Sequence, residues 1–250
     1  MDTIRLTLTA LLLGGLSVAC SSGSAAEPDG SGGTAGTTGT AGSGGGAAGA
    51  AAAAYDPGPI VCSPASAHFV SHGILHDFGP GQSHGQAAFP GPILGPPKGG
   101  GCCVGGLDVV SLGNGGSVVV AFADNAIVDG PGPDFVVFEN AFWIAGDETQ
   151  SFAELASIAV SEDGVSWHEF PCAASAPPYD SCAGVQPVFA NADDGAIDPL
   201  SPEAGGDRFD LADLGLTRAR YVRVTDRADL VGMDGVFDLD AIGILNAQCP

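Results

Sequence analysis

Short β-branched and aromatic runs, cut up by glycine and proline, leave this chain almost no stretch in which a helix could grow long enough to pack. The runs Leu107 to Leu112 and Gly116 to Ala123 (GSVVVAFA) meet at Gly-Asn-Gly-Gly, a hairpin-like signal. Ser157 to Ser161 and Val165 to Phe170 flank Glu162-Asp163-Gly164, a second one. Asp134 to Glu139, Arg220 to Thr225 and Phe237 to Leu245 read as further strands, and only Phe209 to Leu216 (FDLADLGL) carries a hint of one helical turn. Turn residues are abundant, with 40 Gly and 18 Pro in 250 residues. The pattern predicts an all-β fold, an antiparallel β-sandwich of jelly-roll type.

The first 54 residues obey other rules. MDTIRLTLTALLLGGLSVAC has a polar start with Arg5, an apolar run from Leu6 to Leu16, and small residues up to Cys20. That is the plan of a secretory signal over residues 1–19, with an apolar run too short to span a bilayer comfortably. Ser-Val-Ala-Cys followed by Ser-Ser-Gly resembles a bacterial lipoprotein signal. The resemblance implies lipidation of Cys20, a lipid anchor in a membrane, and an exported chain in the periplasm or at the cell surface. Residues 20–54 are Gly, Ala, Ser and Thr with almost no bulky side chain, and bury too little apolar area to offset their entropy. They predict a flexible tether with a mean reach of about 30–35 Å for roughly 35 residues, carrying a folded head over residues 55–250.

Seven cysteines support export, because setting Cys20 aside leaves an even number. Cys172 and Cys182 flank a Pro-rich loop and are expected to pair; Cys62, Cys102, Cys103 and Cys249 supply two more bridges of undetermined connectivity. No C-x-x-C spacing points to zinc. With 7 Lys and Arg against 29 Asp and Glu, the formal net charge of −22 repels phosphate backbones, so nucleic acid is excluded as a partner.

The acids cluster in two places. In DGPGPDFVVFEN (129–140) a Gly/Pro loop exposes carbonyl oxygens beside Asp129 and Asp134, with Asp124 and Asn125 just upstream. These are the hard donors that Ca2+ takes, so Asp124, Asp129 and Asp134 are candidate ligands. Glu139 and Asn140 fall at the far end of the following strand, beyond the reach of one coordination sphere. In Phe237-Asp-Leu-Asp-Ala-Ile, Asp238 and Asp240 share one strand face and repel unless Ca2+ or an arginine among Arg220, Arg223 and Arg227 neutralises them. His68, His72, His76 and His84 sit in HFVSHGILHDFGPGQSH, but Gly73 interrupts the helix that would align them as ligands, and Ile74 to Phe78 reads as strand. Ser111 and Ser117 lack a nucleophile-elbow context, and GPPKGGG lacks the spacing of a phosphate loop. Trp143 and Tyr179 are candidate stacking surfaces for a sugar ring, while Trp167 suits the core.

IAVSEDGVSWHEF (158–170), ARYVRVTD (219–226) and FDLDAIGIL (237–245) resemble the discoidin, or coagulation-factor type C, jelly-roll domains. Upstream, GGLDVVSLGNGGSVVVAF (105–122) and IVDGPGPDFVVFENAF (127–142) resemble bacterial cell-surface proteins with the same C-terminal half. These resemblances imply a non-catalytic binding module of the cell envelope, with a glycan or an envelope protein as partner and structural calcium. Two other expectations stand beside it, a purely structural envelope component and a glycoside hydrolase using an acid pair.

Overall fold

The computed structural model describes residues 55–173, 175–228 and 235–250. The signal segment 1–19, Cys20 and the 20–54 linker lie outside the described residues. In chain order the strands are β1 (His72–Asp77), β2 (Val110–Ser111), β3 (Ser117–Ala121), β4 (Ile127–Val128), β5 (Phe135–Phe138), β6 (Phe142–Trp143) and β7 (Ser151–Phe152). They continue with β8 (Ala156–Ser161), β9 (His168–Glu169), β10 (Asp207–Phe209), β11 (Arg218–Ala219), β12 (Tyr221–Asp226), β13 (Asp238–Leu239) and β14 (Ala241–Ile244). The helical turn expected near Phe209 is a 3-10 turn, Leu211–Leu214, in which the Ala212 amide donates to the Asp210 side chain.

Two antiparallel sheets face each other, one ordered β1-β3-β12-β8-β9 and the other β10-β5-β14. Their registers explain the core. Val120 and Val118 of β3 pair with Val222 and Val224 of β12, which pair in turn with Val160 and Ile158 of β8. Across the sandwich, Phe135 and Val137 of β5 pair with Ile244 and Ile242 of β14, and Phe209 joins Phe135. All of these side chains belong to one buried cluster. At roughly 1.5–3 kcal/mol for each large apolar side chain, this row is the main stabilising term.

Both sheets also bury residues on the face turned away from this core. Val119, Ala121 and Tyr221 are covered by Tyr55, Ile74, Leu75 and Trp167. Val136, Phe138 and Ala241 are covered by Val188, Ala190 and Ala204. Burial on both faces is why GSVVVAFA and DFVVFE are apolar at successive positions instead of alternating. Trp167 has the packing role expected of it, with Arg223 lying 4.8 Å above its ring.

The Glu162-Asp163-Gly164 turn joins β8 to β9 as a hairpin. The Asp163 carboxylate accepts from the Val165 and Ser166 amides at 2.8 and 2.7 Å, which drives its pKa down to about 2. The Gly-Asn-Gly-Gly turn makes no hairpin: β2 pairs with β13, whereas β3 pairs with β1 and β12. Its closure is against another segment, since the Asn114 amide donates to Pro80 O at 2.7 Å and a Cβ on Gly113 would lie 2.0 Å from Gly79 O. The turn therefore carries the chain between sheets.

Cys172 pairs with Cys182 as expected. Cys62 pairs with Cys249 across a separation of 187 residues, tying the two ends of the described domain together. The adjacent Cys102 and Cys103 bond to each other.

Candidate functional site

Two loops at one end of the sandwich enclose a cleft of about 540 Å³, lined by Trp143, Ile144, Gln150, Pro178, Tyr179 and Gln186 among others. One wall is the β6–β7 hairpin, in which Phe142 stacks on Phe152 at 5.0 Å and Trp143 leans edge-on against Phe189 at 5.6 Å. The other wall is the Pro177-Pro178-Tyr179 loop inside the Cys172–Cys182 bridge. Trp143 and Tyr179, both candidates from the sequence, line a single cavity.

The walls are braced where they need to be. Asp147 accepts from the Thr149 amide, the Thr149 hydroxyl and Gln150 Nε2 at 3.0, 2.7 and 2.7 Å, contacts that lower its pKa and set the hairpin tip. The Ser151 hydroxyl donates to Val185 O at 2.7 Å, joining one wall to the other. Buried Asp207 accepts from the Gly184 and Val185 amides at 2.7 and 2.9 Å, and burial pushes its pKa up to about 7 against those bonds. Cys102 O accepts from the Trp143 amide at 2.7 Å, so the Cys102–Cys103 pair sits at the base of the first wall. Ala145, Tyr179 and Ser181 are the non-glycine residues with left-handed backbone among the described residues, at φ 55°, 58° and 60°. All three fall in the two walls, at a cost of roughly 1–2 kcal/mol each.

The aromatic walls, rimmed by Glu148, Thr149, Gln150, Ser151 and Gln186, offer stacking faces together with carboxylate, hydroxyl and amide groups. A smaller hollow of about 290 Å³ beside the β8–β9 turn is spanned by the Arg218–Glu162 ion pair at 2.7 Å and has no Trp or Tyr in its lining.

The predicted cation ligands do not form one site. Asp129 and Asp134 come together with Asp210, carboxylate oxygens within 4.8 Å of one another, while Asp124 is not part of the trio and instead accepts from the Ala67 amide at 3.2 Å. Asp134 is fully buried and already bonded, accepting from the Gly130 and Leu211 amides at 2.9 and 2.7 Å and from Asn246 Nδ2 at 2.8 Å. Asp240 accepts from the Lys98 amide at 3.0 Å, and burial raises its pKa to about 7. Asp238 accepts from the Ser111 hydroxyl and stands with Glu139 and Glu154, neither of which the spacing had joined to it.

Two of the arginines considered as neutralising partners are engaged elsewhere. Arg220 donates to Gly58 O and Ala123 O, and Arg223 pairs with Glu169 at 3.8 Å. Glu154 and Asp207 had no sequence signal of their own, because both matter only through burial. His72 and His76 lie on β1 as strand residues, with His76 stacked on Phe78 at 4.5 Å.

The fold and site define an all-β, disulfide-braced sandwich with an aromatic cleft. No family model matches the chain. No curated protein matches it either. Among solved structures it is similar to the C-terminal domain of a chitobiase from Bacteroides fragilis, at 12% identity and a TM-score of 0.27, over 52% of this chain and 61% of that one. A likeness of that size adds nothing to the chemistry of the site.

Proposed function

We propose that this chain is a non-catalytic binding module of the cell envelope, and that the Trp143–Tyr179 cleft binds a segment of glycan. One observation carries the proposal: two aromatic residues far apart in sequence line one cleft of about 540 Å³, held open by strained, disulfide-braced loops and rimmed with hydrogen-bonding side chains. Sugar rings present an apolar face and a hydroxyl edge together, and this cavity answers both. The signal-like N-terminus and the six paired cysteines agree with an exported, lipid-anchored setting, in which a tether would leave the cleft free to reach its ligand.

The test is a glycan array with the oxidised protein, followed by titration calorimetry of the hits. Trp143→Ala and Tyr179→Ala should each weaken binding by about tenfold or more, the scale of losing a well-packed aromatic anchor. Binding that survives both substitutions moves the site elsewhere. An array without hits would make the chain a structural envelope component.

A further inference from the structure

The rim of the Trp143–Tyr179 cleft has spent most of its hydrogens on the protein itself. A Ser or Thr hydroxyl has one proton to give. Thr149 gives its proton to Asp147 Oδ1 at 2.7 Å and Ser151 gives its own to Val185 O at 2.7 Å, so both oxygens have lone pairs to offer a ligand. Gln150 Nε2 donates to Asp147 Oδ2 at 2.7 Å, which turns its amide nitrogen toward the hairpin tip. The backbone amides of the walls are engaged in the same way. Trp143 donates to Cys102 O, Ile144 to Gln150 O, Thr149 to Asp147, Tyr179 to Ala176 O and Val185 to Asp207, while Pro177 and Pro178 have no N–H. The side-chain donors outside that count are neutral: the Trp143 indole, the Tyr179 phenol and the Gln amides.

Charge points the same way. Glu148 carries the one formal charge in the lining, and no Lys, Arg or His among the described residues lines the cleft. Lys98 pairs with Asp108 and Asp193, Arg218 with Glu162 and Arg223 with Glu169, all outside it. The net charge of −22 adds a field that draws cations in and keeps anions out. A carboxylate or sulfate on a ligand would need a cation or a set of spare amides, and the walls bring neither. A sugar hydroxyl can still donate to these acceptors, and a sugar ammonium brings three N–H donors together with a positive charge. We infer that the cleft selects glycan units bearing a free amino group and rejects those bearing carboxylate or sulfate, with Glu148 setting the preference by pairing with the ammonium. The inference rests on the glycan proposal and sharpens it: Trp143 and Tyr179 stack on any ring, and Glu148 decides which ring is held best.

The experiment is calorimetric titration of the oxidised full chain, in low salt and mildly acidic buffer that keeps the amine protonated, with a glucosamine oligomer, its N-acetylated form and a galacturonate oligomer of equal length. The glucosamine oligomer should bind about threefold to fivefold tighter than the N-acetylated one, the scale of one exposed ion pair, and the advantage should shrink as salt rises. The galacturonate oligomer should show no measurable binding. Glu148→Gln, at an exposed position, should erase the preference and leave affinity for the N-acetylated oligomer unchanged. Glu203→Gln makes the same change of charge outside the cleft and should keep the preference. Equal affinity for the first two oligomers, a preference that survives Glu148→Gln or is lost equally in Glu203→Gln, or array hits confined to neutral or acidic glycans would each overturn the inference while leaving the glycan proposal standing. Binding to no oligomer and to nothing on the array would overturn both.

Discussion

The two ends of β5 carry the same kind of residue and treat it in opposite ways. At the start, Asp134 is fully buried and receives three donors, two backbone amides and the Asn246 side chain. At the end, Glu139 is as deeply buried, keeps one oxygen without a donor, and faces two more carboxylates. Four residues of apolar strand separate a latch from a carboxylate short of donors. The fate of a buried carboxylate is set by how many donors the surrounding loops bring to it. DGPGPD supplies its own through the Gly130 amide, and the 3-10 turn at 211–214 adds another; FEN, meeting β13, supplies too few.

The largest effect should come from Asp134→Ala, which strands three donors joining the 130 loop, the 211 turn and Asn246, at a cost of about 3–5 kcal/mol in chemical denaturation. Glu139→Gln in EDTA should change stability by no more than about 1 kcal/mol, because it removes a charge that is poorly accommodated. If the two substitutions cost the same, the two ends are equivalent and the contrast fails.

Next is the pH response without metal. Burial raises Glu154, Asp207 and Asp240 to about 7, and Glu139 and Asp238 are also raised. In the unfolded chain these groups ionise near pH 4. Between about 4 and 7 the folded state therefore holds more protons, and its stability falls as pH rises through that window. Asp163, lowered to about 2, acts in the opposite sense, and its contribution is lost only as pH falls below about 4. In EDTA, Tm should drop by several degrees from pH 5 to pH 8, and Glu139→Gln with Glu154→Gln should flatten the slope without abolishing it, since Asp207 and Asp240 remain.

Asp207→Asn should loosen the 184–186 wall of the cleft and weaken glycan binding roughly threefold to tenfold in calorimetry, with the aromatic residues untouched. The smallest effect belongs to Asp129→Asn. Its side chain is the exposed member of the trio, and substitution should stay within about 0.5 kcal/mol.

Much of the fold is legible in the order of the amino acids. The Ser157–Ser161 and Val165–Phe170 hairpin, the Cys172–Cys182 bridge and the short turn near Phe209 each follow from residues a few positions apart. Trp143 and Tyr179 stand out as aromatics in loop segments, but nothing in their spacing says that they line one cleft. The Gly-Asn-Gly-Gly turn reads as a hairpin because its residues have the right chemistry. Contacts with Gly79 and Pro80, more than thirty positions upstream, send β2 and β3 to different partners. Asp129 and Asp134 lie together, and the third carboxylate beside them is Asp210, not Asp124.

What acts through chain neighbours could thus be read from the sequence: the class of fold, the strands and the turn that caps β8, the short disulfide loop, and the segments rich in acid. Which strands pair, that Cys62 meets Cys249, that Cys102 closes on Cys103, and which carboxylates receive donors were settled by tertiary folding alone. The physical reason is locality. Turn chemistry and side-chain alternation are fixed within a few residues, whereas burial and hydrogen-bond supply are sums over segments far apart in the chain. Glu154 and Asp207 look like any other acids until the sandwich closes over them.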